Sequence, residues 1–331
     1  MASSGPGQNP LINERAETRA LVKAAQRGDL DDLKVILTAL STKHELSKGE
    51  VLILCRDEND DSALHKAAHL GLVEILEYLL SDEVFTFAPG TKAVFIGLRN
   101  RESSTAVHVA VEKGQLQYLI ALAQNGASLE LPNQFGWTPL LVAANAYISA
   151  TVEAARQRAI AQNPNNPLPL INPGTYTPWM HIFDWLISMR VNLNAANLIQ
   201  DTALHMAARM KNLVIVDKLL SAGAAPDLRN GGGYTPLHLA VLRPGSLECA
   251  RALLMWRANP DSQENQNGYA PIHSAVVDGN VNMIELLLSY GADEYLRNRN
   301  GLAPWQLAGL RSEEASAFFI NRMSDPSRHD Q

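Results

Sequence analysis

One stretch of eight residues recurs along this chain and restricts its fold more than any other feature. It reads YTPLHLAV at 234–241, DTALHMAA at 201–208 and YAPIHSAV at 269–276. A Thr before a helix can accept a hydrogen bond from an unpaired helical N–H, and Pro suits the first helical position because it lacks an N–H. The Leu and Ala positions that follow lie at helical spacing. The stretch therefore predicts a helix start that is used repeatedly.

The residue at the Thr position marks each copy of this stretch. The markers are Arg19, Ser62, Thr105, Thr138, Thr202, Thr235, Ala270 and Ala303. Their successive spacings are 43, 43, 33, 64, 33, 35 and 33 residues. A fixed period of 33 interrupted by whole insertions is typical of a solenoid built from stacked repeats.

Glycines follow several of the predicted first helices. Gly71, Gly114 and Gly279 stand where a helix would end in the left-handed conformation that favours glycine. A second apolar helical pattern follows each of them, as in 283–288. Each repeat is therefore predicted to be a helix–turn–helix unit.

The fourth repeat contains an insertion at about 148–176. Ile148–Gln162 predicts a separate Ala-rich helix, and the following residues, with Pro164, Pro167, Pro169 and Pro173, predict a loop. Loops of this length are usually either functional or disordered, and the sequence leaves both interpretations open.

The T-P-L-H pattern at a 33-residue period is characteristic of the ankyrin-repeat family, which this chain resembles over roughly residues 18–322. The resemblance implies an all-α solenoid of about eight helix–turn–helix units, with β-hairpin fingers and one large insertion in the fourth. It also implies protein binding through the finger tips and the concave first-helix face. Residues 1–17 are expected to form a mobile arm and 323–331 a polar tail.

A narrower resemblance is to the inhibitor-of-NF-κB family. It rests on DSALH at 61–65, on the finger segment QENQNG at 263–268 with its one extra residue, and on LAPWQL at 302–307. No Asp-Ser-Gly phosphodegron precedes the repeats and no acidic tail follows them. The comparison therefore favours the nuclear branch of that family, which lacks the degron.

Composition argues against several classes of function. The net charge is −6 without a long run of either sign, which disfavours bulk binding to nucleic acid or to an anionic membrane. The two cysteines, Cys55 and Cys249, lie far apart and indicate a reducing compartment. With no signal peptide or membrane-spanning run recognised, we expect a protein of the cytoplasm or nucleus, monomeric by itself.

Five of the nine histidines occupy the same position of the recurring stretch. An array of metal-binding or catalytic histidines is one interpretation, but stacked helices are ~8–10 Å apart, whereas zinc ligands lie within ~2.1 Å of one ion. We therefore predict structural histidines. His181 and Asp184, three residues apart, are predicted to belong to a solvated helix face rather than to an acid–base pair. Neither a catalytic site nor a metal or cofactor site is expected.

The finger residues differ from repeat to repeat and are the candidate partner-binding residues. Acidic, aromatic and then basic side chains follow one another along the chain, although ordinary solvated loops would look similar. The candidates are Asp57, Glu58, Asp61, Phe135, Trp137, Tyr234, Tyr269, Arg297 and Arg299. Trp and Tyr are common interface anchors, and Trp137 is expected at an exposed tip. Asn194 stands where related ankyrin proteins can be β-hydroxylated.

The sequence therefore predicts a non-enzymatic protein–protein interaction module that acts as adaptor, scaffold or regulatory inhibitor. One alternative is an IκB-like regulator of a Rel/NF-κB-type transcription factor. A second alternative is an enzyme whose site lies in the insertion.

Overall fold

The computed structural model describes residues 15–85, 89–161, 177–243 and 245–324. Most of the predicted N-terminal arm, most of the polar tail and the Pro-rich loop lie outside these residues. The chain divides into two compact units, Met1–Val191 and Asn192–Gln331. Each unit is an all-α stack of helical repeats, as the sequence predicts.

The first unit contains repeats 1 to 4. Its described helices are α1 (Arg15–Arg27), α2 (Leu30–His44), α3 (Lys48–Leu54), α4 (Ala63–Leu70), α5 (Val73–Leu79), α6 (Asp82–Phe85), α7 (Pro89–Ile96), α8 (Ala106–Glu112), α9 (Leu116–Gln124), α10 (Pro139–Ala161) and α11 (Thr177–Ser188). The pairs α1–α2, α4–α5, α8–α9 and α10–α11 are the two helices of successive repeats.

The second unit contains repeats 5 to 8, each with one helix pair. Its described helices are α12 (Ala203–Arg209), α13 (Leu213–Ser221), α14 (Pro236–Val241), α15 (Leu247–Met255), α16 (Pro271–Val277), α17 (Val281–Ser289), α18 (Pro304–Arg311) and α19 (Glu313–Met323).

Packing follows the repeat order within each unit. In the second unit α14 packs against its own partner α15 and against α12 and α16, the first helices of its neighbours. The buried faces are apolar and small, as Leu237 and Ala240 of α14 and Leu253 of α15 illustrate. A helix of six to nine residues is too short to be stable alone, so burial of this face between neighbouring repeats stabilises it.

The ends of the first helices confirm one prediction and correct another. Gly71, Gly114 and Gly279 have φ of 71°, 74° and 65°, the left-handed conformation expected for them. In the fourth repeat the corresponding residue is Tyr147, and α10 continues through it to Ala161. The prediction of a separate helix from Ile148 is therefore wrong. Tyr147 lacks the ease with which glycine takes the left-handed conformation, and, unlike Lys211 at the same position of repeat 5, it is followed by an Ala-rich stretch in which no Pro or Gly stops the helix before residue 161.

The two ten-residue extensions of repeats 1 and 2 pack against each other. They form α3, α6 and α7, which contact one another. The rings of Phe85 and Phe95 lie 5.9 Å apart, and Val51, Leu52 and Val84 are buried with them. We call these three helices the side cluster.

The connections between repeats are the fingers. The described residues contain no strand here, only an isolated antiparallel bridge between Ala196 and Thr202, where the resemblance implies β-hairpins. A strand requires a ladder of backbone hydrogen bonds, whereas the arms of a finger such as 133–137 are linked by a single bond outside the turn, from the Asn133 N–H to the Trp137 carbonyl at 3.0 Å. Separately, none of the helices in the described ranges is long and apolar enough to cross a membrane.

Candidate protein-binding surface

The base of each finger is built by the recurring histidine. In repeat 5, Nδ1 of His205 accepts the backbone N–H of Thr202 at 3.2 Å, and its Nε2 donates to the carbonyl of Tyr234 in the next repeat at 3.0 Å. His65, His108 and His238 make the same pair of contacts at 2.9–3.2 Å, and His273 does so at 3.1 and 3.3 Å. These five histidines are therefore structural, as predicted, and each joins its repeat to the next.

The hydrogen bonds also define the protonation state of these rings. A backbone N–H can only donate, so Nδ1 carries no proton and the neutral ring is protonated at Nε2. Burial lowers the pKa of His65 and of His238 to about 4, outweighing the opposite effect of the carbonyl that each ring contacts. The pKa values of His108, His205 and His273 are lowered by burial as well. These side chains are neutral near pH 7 and poorly suited to catalysis by proton transfer.

In six described fingers the turn is closed by one side chain five residues before the Thr position. Oδ1 of Asn230 accepts the N–H groups of Gly232 and Tyr234, both at 3.0 Å. Asp57, Asn100, Asn133, Asn197 and Asn298 play this part in other fingers. Two residues before the Thr position the backbone is left-handed in every described finger, in glycines such as Gly233 and in Asp60, Ser103 and Gln200.

The finger of repeat 7 is one residue longer, and the side chain that closes its turn is Glu264. Its carboxylate accepts the N–H groups of Gln266, Asn267 and Tyr269, the last two at 2.7 and 3.0 Å. Burial raises the pKa of Glu264, but these three N–H groups outweigh it and the net pKa is lowered. The longer side chain therefore reaches one more N–H and compensates for the extra residue.

Successive tips within a unit are joined through their backbones. In the first unit the N–H of Arg101 donates to the Asn59 carbonyl at 2.9 Å. In the second unit the N–H of Gly231 donates to Ile199, that of Asn265 to Gly232 and that of Arg299 to Asn267, at 2.9–3.0 Å. These backbone bonds do not require a particular side chain at the tip, although some tip side chains add contacts, as Arg299 does to the Gln266 carbonyl of the preceding finger at 3.3 Å. The identity of the tip residues can therefore differ from finger to finger.

The exposed tip lies three and four residues before the Thr position. In the first unit this places Phe135 at a tip, with 51% of its surface exposed. In the second unit the tip of repeat 5 is Leu198 and Ile199, exposed to 69% and 61%. The sequence reasoning missed these two residues because it took the residue next to the Thr as the tip. Counting from the finger Asn would have found them.

The predicted partner-binding residues of the first unit differ in how exposed they are and in what they contact. Glu58 is exposed and pairs with Arg19 at 2.9 Å. Asp57 and Asp61 are half-buried, and both contact Nζ of Lys66 at 2.7 and 2.8 Å. Trp137 is half-buried rather than fully exposed, because it lies at the finger base next to the Thr position. A partner-binding role for these residues stays a prediction.

In the second unit the two tyrosines lie at finger bases and the two arginines lie near a tip. The ring of Tyr234 meets that of His238 edge-on, and the ring of Tyr269 stacks on His273 with centroids 5.5 Å apart. Both tyrosines are half-buried, whereas Arg297 and Arg299 are exposed. Both arginines line a groove between the fingers of repeats 6, 7 and 8.

Asn194, the predicted hydroxylation site, is exposed and belongs to a separate series of side-chain contacts. Its Oδ1 accepts the N–H of Ala225 at 2.9 Å. Asp227 and Asp261 do the same one and two repeats later, for Asn259 and Asp293. Hydroxylation of Asn194 stays a prediction.

Reactive side chains are sparse in the part of the chain that the structure describes. Burial raises the pKa of Cys55 to about 12 and that of Cys249 to about 11, so both are unreactive thiols near pH 7. His181 is exposed on α11, with Asp184 half-buried on the same helix. Among the described residues no group of three or more His, Cys, Asp or Glu side chains could hold a metal ion.

Comparison with known proteins agrees with this geometry. A family model described as "Ankyrin repeats (3 copies)" matches residues 180–264, and one described as "Ankyrin repeat" matches residues 59–84 and 267–299. This chain is an ankyrin-repeat protein. Ankyrin-repeat domains are protein–protein interaction modules and are generally non-enzymatic.

Similar proteins with different names share these repeats. The chain is 38% identical to human NF-kappa-B inhibitor alpha over 106 residues, 30% of this chain and 33% of that protein. It is 36% identical to human SH3 and multiple ankyrin repeat domains protein 2 over 116 residues, 35% of this chain and 6% of that protein. It is 31% identical to Drosophila melanogaster tyrosine-protein kinase Shark over 148 residues, 44% of this chain and 16% of that protein. The matched regions thus span a third or less of these relatives.

Proposed function

We propose that this ankyrin-repeat protein is a non-enzymatic adaptor, scaffold or regulatory inhibitor that holds partner proteins on its finger tips and first-helix face. The supporting observation is that different residues build the base and the tip of each finger. The base is closed by the finger's own Asn, Asp or Glu side chain and, in five repeats, by His, whereas the tip residues are exposed and differ from finger to finger. We expect changes at a tip to leave the fold intact, which suits a surface selected for recognition.

The finger residues, both those predicted from the sequence and those found in the structure, fit this proposal to different degrees. Phe135, Leu198 and Ile199 expose large apolar surface at tips, where anchors of a partner are expected. Glu58, Arg297 and Arg299 supply exposed charge. Asp57 and Asp61 act mainly within the fold, through Lys66. We place the protein in the cytoplasm or nucleus, monomeric before it meets a partner.

The test is affinity purification from cells followed by mass spectrometry, with three forms of the chain. These are the unchanged chain, a tip variant carrying Phe135→Ala, Leu198→Ser and Ile199→Ser, and a matched variant with Ile320→Ser. Ile320 is as exposed as Ile199, but it lies on α19, a second helix, outside both the tips and the first-helix face. We expect the tip variant to lose partners that the Ile320 variant retains, with both melting at the wild-type temperature. Identical partner sets would contradict a role for the tips.

The half-buried Trp137 tests whether finger bases contribute as well. Trp137→Ala leaves its backbone carbonyl available to His108, so the finger base can still close. If the ring anchors a partner, affinity should weaken by ~2 kcal/mol or more with little change in melting temperature. A drop in stability with unchanged affinity would assign the ring to packing.

An IκB-like role is a second candidate, favoured by the 38% identity to NF-kappa-B inhibitor alpha. Titration calorimetry of the purified chain against a purified Rel-type dimer tests it. A saturable interaction weakened by the tip substitutions supports this role. The absence of binding heat at micromolar concentrations argues against it.

The enzyme alternative concerns the insertion, whose Pro-rich part lies outside the described residues. A chain lacking 148–176 separates the two interpretations. Loss of partners alone fits an interaction module. Turnover that disappears with the insertion would favour an enzyme.

A further inference from the structure

The fingers of repeats 6, 7 and 8 enclose a polar groove of about 330 Å³ on the second unit. Three arginines line it, Arg229 from the first of these fingers and Arg297 and Arg299 from the last. All three are exposed. The groove is therefore a concentration of positive charge on a chain whose net charge is −6.

The guanidinium groups are held in place and still have hydrogen-bonding capacity. Nη1 of Arg297 donates to the Gly301 carbonyl at 2.8 Å, and Nη1 of Arg299 donates to the Gln266 carbonyl at 3.3 Å. Nε of Arg229 donates to the Gly233 carbonyl at 3.2 Å, and its Nη2 contacts the Gln263 carbonyl. Each guanidinium has about five N–H donors, so most of those on Arg297 and Arg299 stay available to a ligand.

The one carboxylate of the groove does not neutralise these arginines by direct contact. Glu264 is buried, and its two oxygens accept three backbone N–H groups of its own finger. The groove therefore offers donors and lacks a free acceptor of comparable strength.

A buried donor in the same groove has no acceptor. Asn298 is 5% exposed, and its Nδ2 has no hydrogen-bond partner among the described residues. The equivalent Nδ2 atoms of Asn100 and Asn230 donate to Asp61 and Asp201 of the preceding finger, at 2.9 and 2.8 Å. The preceding finger of Asn298 has Tyr269 in that place, which supplies no carboxylate. Because this Nδ2 atom is itself buried, it is an unsatisfied donor in the wall of the groove rather than a contact that a ligand can reach, and the arginines are the donors exposed to a ligand.

We propose that this groove binds an acidic segment of a partner protein, with an Asp or Glu carboxylate of that segment held between Arg297 and Arg299. This inference rests on the proposed interaction function and specifies the chemistry of one partner. Arg recognises carboxylates through paired hydrogen bonds, which a fixed guanidinium favours. Nucleic acid is the less suitable polyanion, because a chain of net charge −6 repels it beyond the groove.

Fluorescence anisotropy with a labelled oligoglutamate peptide tests the proposal on the full chain. The variant is Arg297→Gln with Arg299→Gln. The matched control is Arg251→Gln, which removes the charge of a half-buried arginine on α15, outside the groove. We expect the double variant to weaken binding by about tenfold or more and Arg251→Gln by less than about twofold. Equal losses in the two proteins would show nonspecific attraction and overturn the proposal.

Two further measurements test the geometry of recognition and the class of ligand. Arg297→Lys retains the charge without the planar fork, so an intermediate affinity supports recognition by geometry, while wild-type affinity would overturn it. A single-stranded DNA oligonucleotide that displaces the peptide at equal or lower concentration would overturn the choice of a protein ligand. Circular dichroism melting confirms that each variant is folded.

The two proposals can fail separately. If the unchanged chain captures no partner from cells, the interaction function fails whatever the peptide does. If captured partners bind the purified double variant as tightly as the wild type, the groove proposal fails and the interaction function stands.

Discussion

The two ends of the first helices contrast with each other. The N-terminal ends are built alike in five repeats, with a His that accepts its own repeat's N–H and donates to the next repeat's carbonyl. Among the described residues the C-terminal ends take four forms: a left-handed glycine such as Gly114, a left-handed Lys211 in α12's repeat, an extended Ser312 after α18, and Tyr147, through which α10 continues. The N-terminal end joins two repeats, whereas the C-terminal end bonds mainly within its own repeat. The structure thus conserves geometry where one repeat depends on another.

Acidification should weaken the N-terminal ends of the first helices, which are built alike around His. It has the largest expected effect on the unfolding free energy. The pKa values of the five histidines are lowered in the folded state, so the unfolded chain binds more protons as the pH falls below about 6.5. The neutral histidines stabilise the folded state fully above that pH, and this stabilisation is lost as the pH falls toward about 4. His65 and His238 should each lower the unfolding free energy by about 2 kcal/mol between pH 7 and pH 5. Urea denaturation at the two pH values measures this loss.

His238→Gln is the matched control for the pH experiment. Gln306 occupies this position in repeat 8, where its Oε1 accepts the N–H of Ala303 at 3.0 Å without titrating. The variant should therefore lose about 2 kcal/mol less than the wild type between pH 7 and pH 5. An unchanged pH dependence would contradict the neutral assignment of His238.

Gly114→Val should break a variable end that is closed by glycine. A Cβ on Gly114 would lie 3.1 Å from Cβ of Pro178, and its φ of 74° is unfavourable for Val. We expect a loss of about 2 kcal/mol in thermal or chemical denaturation. Gly309→Val is the control, because the surroundings of Gly309 are open and its φ is not left-handed. Equal stability of the two variants would show that this helix end tolerates side chains.

Tyr147 allows the reverse substitution, in which glycine is introduced at the end of a first helix that lacks it. Glycine there should favour termination of α10 near this residue, which is where other first helices end. We expect Tyr147→Gly to be about 1 kcal/mol less stable than Tyr147→Ala, which removes the same ring contacts but keeps the helix. Far-ultraviolet circular dichroism should show less helix in the Gly variant only. Equal helix content would mean that another residue keeps α10 continuous.

Lys211 should give the smallest effect. Its φ of 58° is left-handed although it carries a side chain. Lys211→Gly should therefore be more stable than Lys211→Ala by roughly 0.5–1 kcal/mol, because both lose the Lys side chain and only Gly relieves the strain. Denaturant midpoints of the two variants provide the measurement. The opposite order would show that the left-handed turn costs little here.

The sequence predicted what depends on a repeated residue at fixed spacing. The Thr and His positions located the first helices, and Gly71, Gly114 and Gly279 located their ends. It predicted less well where an expected residue is missing. Tyr147 in place of Gly gave no positive signal that α10 would continue, because the Ala-rich residues after it suit one helix or two.

The candidate site could be predicted only in part, because burial within a finger depends on an offset of one or two residues. Trp137, Tyr234 and Tyr269 were assigned to tips, yet they lie at half-buried bases. Leu198 and Ile199 were missed although they expose more apolar surface. The groove of Arg229, Arg297 and Arg299 joins residues from fingers two repeats apart, a proximity that follows from stacking within the unit.

The side cluster has a consequence for how the chain unfolds. In many repeat proteins each repeat interacts only with its immediate neighbours through one continuous interface, so ends can fray one repeat at a time. Here the extension that follows repeat 1 shares a small core with the extension that follows repeat 2, through α3, α6 and α7. Repeats 1 and 2 therefore cannot separate without exposing Phe85 and Phe95 as well. Amide exchange in α1 and α4 should rise and fall together, as a single cooperative block rather than a fraying end.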